Sequence, residues 1–157
     1  MARARDVELD CEALFATAAA RVIEVRAEEV FAHADGILDL EDPERVHDMR
    51  VATRRQRAAL EIFEPCFPRK RRRKGLKRVK ALADALGARR DTDVEIELLE
   101  GVAAEVQGED REALEALLGG IRAEQRSANE ELRSYVTAKR LKKLRRRLRK
   151  LARSAAG

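Results

Sequence analysis

The run VHDMRVATRRQRAAL at residues 46–60 sets His47, Arg50, Arg54 and Arg57 at spacings of three, four and three. At 100° per residue of helix, these side chains fall within an arc of roughly 80°. The chemistry of such a row is anion capture. A guanidinium offers a planar fork to two phosphate oxygens, and a protonated imidazole donates a charged hydrogen bond. Cations stacked this way repel one another, and only Asp48 and Glu61 stand near enough in sequence to offset them. A bound polyanion relieves that cost. The plainer alternatives are a solvated helix face with ordinary Arg–Glu pairs and, for His47 alone, a helix-start histidine without a role.

Two further basic runs extend the pattern. Residues 69–80 hold nine basic side chains and no acid, and residues 139–153 hold ten and no acid. Arg73, Lys77, Arg78 and Lys80 form a second strip that joins the first in one groove if the two helices pack antiparallel. Lys139, Lys143 and Arg147, with Arg146 and Lys150, offer a third wall, although many of these cations must simply be solvated. Between Asp91 and Glu115 the balance reverses, with ten acids and only Arg111 as a base. Charge so segregated makes the chain an electrostatic dipole that favours anionic partners.

Catalytic patterns are missing. There is no Ser/His/Asp set, no phosphate-binding loop and no glycine-rich nucleotide cradle. Asp91 and Asp93 are a tempting carboxylate pair for Mg²⁺, but they sit two apart at an expected turn, where N-capping accounts for Asp91 equally well. Asp91 could instead orient Arg89 or Arg90. The only other histidine is His33, and no zinc-site spacing surrounds His47, so no metal and no cofactor are expected. Cys11 and Cys66 lack a CxxC context and read as incidental thiols in a reducing compartment.

The elements that must carry these residues are helical. Charged residues make up 40% of the 157 and aromatics only 3%, with three prolines; Ala, Leu, Arg and Glu dominate, as helices prefer. A first helix is expected from Val7 to Ile37. A second runs from Pro43, with Asp42 as N-cap, to Phe63 before Pro65; Val46, Met49, Thr53, Gln56, Leu60 and Phe63 form its core face. A third runs from Arg72 to Leu86, with Gly87 as its C-cap. A weaker segment from Thr92 is interrupted by Gly101 and Gly108. A last helix from Glu109 to Ala152 is overlong for a small bundle, with a bend at Gly119–Gly120. The expectation is all-α: one domain over 1–157, an antiparallel bundle of about four helices with an overlong C-terminal helix. No signal sequence and no membrane-spanning stretch are visible, which makes the cytoplasm the default.

The run HDMRVATRRQRAALEIF, the basic helix after it and the later LGARRDTDV together resemble the CHAD family, the conserved histidine α-helical domains. The resemblance implies a helical fold that binds inorganic polyphosphate in a basic groove, as a binding protein rather than an enzyme. It maps the family's histidine to His47 and its arginines to Arg50, Arg54, Arg55 and Arg57. Lys77, Arg78 and Lys80 take the basic positions of the next helix, and Arg90 with Asp91 takes the RD pair. It also implies association with polyphosphate granules.

Two departures bear on function. Gln56 stands where the family usually has Leu, which puts an amide on the core face. The usual family domain contains two bundles with the groove between them, and this chain has length for one. The expectation is that a homodimer supplies the second wall; a fragment or degenerate copy is the alternative. Nucleic-acid binding is less favoured because the chain lacks an aromatic stacking platform and a helix–turn–recognition helix pattern. A metal-dependent polyphosphate phosphohydrolase remains the enzymatic alternative.

Overall fold

A computed structural model describes residues 3–10 and 12–155. Helices α1 (Phe15–Ala32), α2 (Pro43–Ile62), α3 (Arg69–Glu105), α4 (Glu109–Tyr135) and α5 (Ala138–Ala152) follow in order, with a single 3₁₀ turn at Glu64–Cys66. The described residues contain no strand. The all-α bundle expected from the sequence is the fold observed; the bounds of its first, third and last helices differ from expectation.

The first helix runs from Phe15 to Ala32, short of the expected Val7–Ile37 at both ends. The acidic stretch before it runs non-helically beside α1, where Arg26 Nη1 donates to the Arg5 carbonyl at 3.0 Å and Glu29 accepts from the Arg5 amide. The Arg5 backbone groups thus find side-chain partners. Nearer to α1 the Glu12 amide donates to the Asp10 side chain at 3.0 Å and the Ala13 amide to the Asp10 carbonyl at 3.1 Å, a local turn in place of a helix. Beyond α1, Gly36 adopts φ +68°, and a Cβ there would meet the Arg45 guanidinium at 2.9 Å. That guanidinium donates to the Asp35 carbonyl and to Asp42. Asp42 therefore stands at the N-cap position of α2 without capping it.

Gly87 does not end the third helix. Helix α3 begins at Arg69, three residues before the expected Arg72, and runs 37 residues in all, through Gly87 and Gly101 to Glu105. One glycine costs a helix about 1 kcal/mol, too little to stop a segment whose next turns are rich in Ala, Arg, Glu and Leu. The chain turns at Gly108 instead, where φ is +66°.

The expected last helix is divided, and Gly119–Gly120 lie inside unbroken α4. The break falls at Val136 and Thr137, where the Thr137 side chain accepts from the Arg140 amide at 3.3 Å and caps α5. A threonine cap recovers one of the orphan donors that a helix start leaves.

Helices α1, α2, α3 and α5 close a four-membered ring in which α1 packs on α2 and α5, and α3 packs on α2 and α5. Helices α2 and α5 are thus diagonal partners. Ile23, Val46, Met49, Leu60, Leu86 and Leu148 are fully buried at its centre. Val46, Met49, Thr53, Gln56 and Leu60 are buried as expected, and Phe63, half-buried, stacks on Phe15 at 5.5 Å between ring centroids. Buried Arg72 pairs with Glu64 and fixes the start of α3. The main core ends at Leu86 on α3 and resumes only at Leu132 on α4. The intervening lengths of α3 and α4 pair chiefly with each other, as an antiparallel hairpin around buried Ala103 and Leu118, while at its base Arg90 reaches Glu44 and Asn129 Nδ2 donates to the Leu38 carbonyl at 3.0 Å.

Candidate functional site

Helices α2 and α3 run antiparallel and are tied by charge at both ends. Glu61 Oε1 accepts from Arg57 Nε at 3.1 Å and lies 3.5 Å from Lys80 Nζ. At the opposite end Arg90 Nη2 lies 3.7 Å from Glu44. These ties set the row on α2 alongside the outward face of α3. His47, Arg50 and Arg57 are half-buried and Arg54 is exposed. Arg54, Arg55 and Arg57 line an open depression of about 510 Å³ with Val51, Ala58 and Glu61. On α3, Arg73, Lys77 and Lys80 border a second depression of about 1110 Å³ with Lys70, Lys74 and Asp84. Hydrogen bonding from Arg57 holds the Glu61 carboxyl below its ordinary value; slight burial opposes this, and the charges of Arg57 and Lys80 add to it. Among the described residues, Arg50, Arg54, Arg73 and Lys77 form no ion pair. The seam is therefore a cationic surface in which Glu61 is the acid that occupies two of its cations.

Not every expected residue reaches this seam. Arg78 is exposed about 160° around α3 from Lys80, so it faces the other flank. Lys139 and Lys143 border a separate depression of about 1100 Å³ that also contains Phe31, Ala34 and Asp35. The apolar seam of α5, with Leu144, Leu148 and Leu151 buried, docks between α1 and α3. That docking sends Arg145 and Arg149 to Glu28 of α1, at 3.4 and 3.1 Å, and Arg145 over the Phe31 ring at 4.6 Å. Half-buried Arg147 lies about 160° around α5 from Arg145, toward α3. The three basic runs thus form two surfaces, because α5 sits diagonally across the bundle from α2.

The RRDTD turn is helical, and its residues divide by face. Arg89 is fully buried and pairs with Asp93, four residues on. Gln125 Nε2 of α4 donates to the same carboxylate at 2.7 Å. Burial first, and the neighbouring charge of Arg90 second, push the Arg89 pKa below its ordinary value. Asp91 is exposed, so the partner of Arg89 is Asp93 and not Asp91. Two residues apart on a helix, Asp91 and Asp93 face different directions and do not converge on one metal. The signal in the sequence was the Arg–Asp spacing of four, which the expected turn concealed.

A different carboxylate group does converge. Glu44, His47 and Asp48 bring one ligand atom each within 4.8 Å of one another on the first turns of α2, although no metal-ligand spacing was expected around His47. Arg90 competes for Glu44 at 3.7 Å. Gln56 is fully buried, and both of its amide atoms are unpartnered among the described residues; it bonds to no neighbouring helix. Cys66 is a buried free thiol, and Cys11 lies outside the described residues. Among the described residues no helix is long and apolar enough to cross a membrane.

A family model described as CHAD domain matches residues 21–157, most of α1 and all that follows it. No curated protein and no solved structure matches the chain.

Proposed function

The chain belongs to the CHAD domain family, and on that premise we propose that it binds inorganic polyphosphate, without turning it over, along the seam between α2 and α3. The observation that carries the proposal is the antiparallel registration of two cationic rows by Glu61–Lys80 and Glu44–Arg90. His47, Arg50, Arg54, Arg57, Lys77 and Lys80 engage successive phosphates. Arg55, Arg73 and Arg90 border the path. Arg78, Lys139, Lys143 and Arg147 act at longer range through the field rather than in the seam. Binding of this kind is polydentate: each phosphate neutralised releases counterions, so affinity falls with salt and rises with chain length. The proposal carries with it a cytoplasmic location and association with polyphosphate granules.

The test is affinity for long polyphosphate across a salt series, with wild-type protein and the double variant Arg50→Ala/Arg54→Ala. By the slope per phosphate contact known for polynucleotides, removing two contacts lowers the log–log salt slope by about 1.5. Far-UV circular dichroism should stay unchanged, because neither side chain is in the core. An unaltered slope removes these arginines from the site. Duplex DNA that competes as well as polyphosphate at near-physiological salt overturns the preference. Phosphate release with Mg²⁺ or Mn²⁺, abolished by Asp91→Ala, replaces binding by catalysis.

A further inference from the structure

Helix α3 changes character along its length on one exposed face. At 100° per residue, Arg73, Lys77 and Lys80 share an arc of roughly 100° with Val94, Leu98 and Val102. The first three are cations, and exposed Asp84 and Asp91 lie on the same arc on either side of Gly87. The last three are exposed by 47%, 66% and 42%, with Glu95 and Glu105 beside them. The hairpin that carries the apolar half contributes nothing to the main core. Its stripe of Val and Leu has no cover among the described residues, and a solvent-facing stripe at helical spacing, rimmed by charge, marks a contact surface. Gly87 lies between the two halves, on the same arc. A Cβ there would meet nothing within 4 Å, so no contact within the chain calls for a glycine in mid-helix.

We propose that the occupant of this face is a second copy of the chain, docked antiparallel on α3 about a two-fold axis near Gly87. A two-fold axis reverses the helix, so the apolar, acidic half of each copy covers the basic half of the other, twice over. In that register Leu98 meets the partner's Leu76, and Val94 lies along the methylene stem of the partner's Lys80. Glu105 approaches the partner's Arg69. Without a side chain, Gly87 lets the two backbones close together. Hairpin-on-hairpin pairing is disfavoured because it sets like charges opposite each other in the acid-rich stretch between Asp91 and Glu115.

One consequence rests on the polyphosphate reading: the partner's hairpin covers Arg73, Lys77 and Lys80, so a long polyanion and the second copy compete, and polyphosphate shifts the dimer toward monomer. The interface itself does not depend on that reading. Sedimentation velocity on the full chain reads both. Wild-type protein should sediment at twice the 17.7 kDa chain mass, and Leu98→Glu at once that mass with an unchanged far-UV spectrum. Glu105→Lys should weaken the dimer, and adding Arg69→Glu should restore it. A wild-type monomer at every concentration, or a Leu98→Glu dimer, overturns the interface. Long polyphosphate should dissociate the wild-type dimer; a dimer that stays intact with polyphosphate bound overturns the competition. If no variant binds polyphosphate while Leu98→Glu is monomeric, the function proposal fails and the interface stands.

Discussion

Replacing Asp93 with alanine should destabilise this protein more than any other single change among its acidic residues. Its carboxylate is almost wholly buried and is shared by Arg89 and Gln125. Arg89 has no solvent exposure, so the substitution leaves a guanidinium in the interior without its counter-charge. Breaking a buried pair from one side costs about 3–5 kcal/mol. In a chain of this size 1 kcal/mol moves the melting temperature by about 2–4 °C, so Asp93→Ala should lower it by roughly 6–20 °C. The assay is thermal and urea unfolding followed at 222 nm, with Asp91→Ala as the control. Asp91 is exposed on another face and should cost no more than about 0.5 kcal/mol. The double replacement Arg89→Met/Asp93→Leu should recover most of the loss, because it removes both charges and fills their volume. Equal losses from Asp91→Ala and Asp93→Ala, or a double variant as unstable as the single one, refute the assignment of Asp93 as the partner of Arg89.

Two further outcomes follow from the same packing. Gln56→Leu should stabilise the fold by about 1–3 kcal/mol in urea titrations, since the buried amide has no partner and leucine has none to seek; a loss of stability would mean that the amide is bonded. Glu61→Gln should tighten polyphosphate binding, because it frees Arg57 and Lys80, and should cost less than about 1 kcal/mol of stability since the pair is exposed. The Glu61 carboxyl is held below its ordinary value, chiefly by Arg57. Its stabilising contribution is therefore present above the ordinary pKa of 4.5 and is lost as pH falls through the lowered value. A wild-type advantage over Glu61→Gln that grows with acidification would contradict that sign.

The row on α2 was legible because helical periodicity and residue type agree there. One face of HDMRVATRRQRAALEIF is apolar and another cationic, and α2 is buried on the first as its spacing dictates. The end of α3 was not legible. Gly87 and the RRDTD motif look like punctuation locally, yet the helix passes through both. Propensity terms near 1 kcal/mol are outweighed by tertiary pairing that ties Arg89 and Asp93 to Gln125, far along the chain. Likewise Gly119–Gly120 looked like the bend, but the break came where Thr137 caps a new helix.

By itself the sequence determined an all-helical chain, the cationic row at 47–57, the separation of its basic and acidic segments, and a family resemblance that the match over residues 21–157 bears out. Those are local properties: propensity, a period of 3.6, and charge counted along the chain. Only the tertiary structure decided which basic runs share a surface. Helix α5 lies across the bundle from α2 because its leucine seam docks between α1 and α3. That placement takes Lys139 and Lys143 away from the seam and leaves α2 and α3 to form it. It likewise decided that Val94, Leu98 and Val102 on the α3–α4 hairpin stay exposed among the described residues.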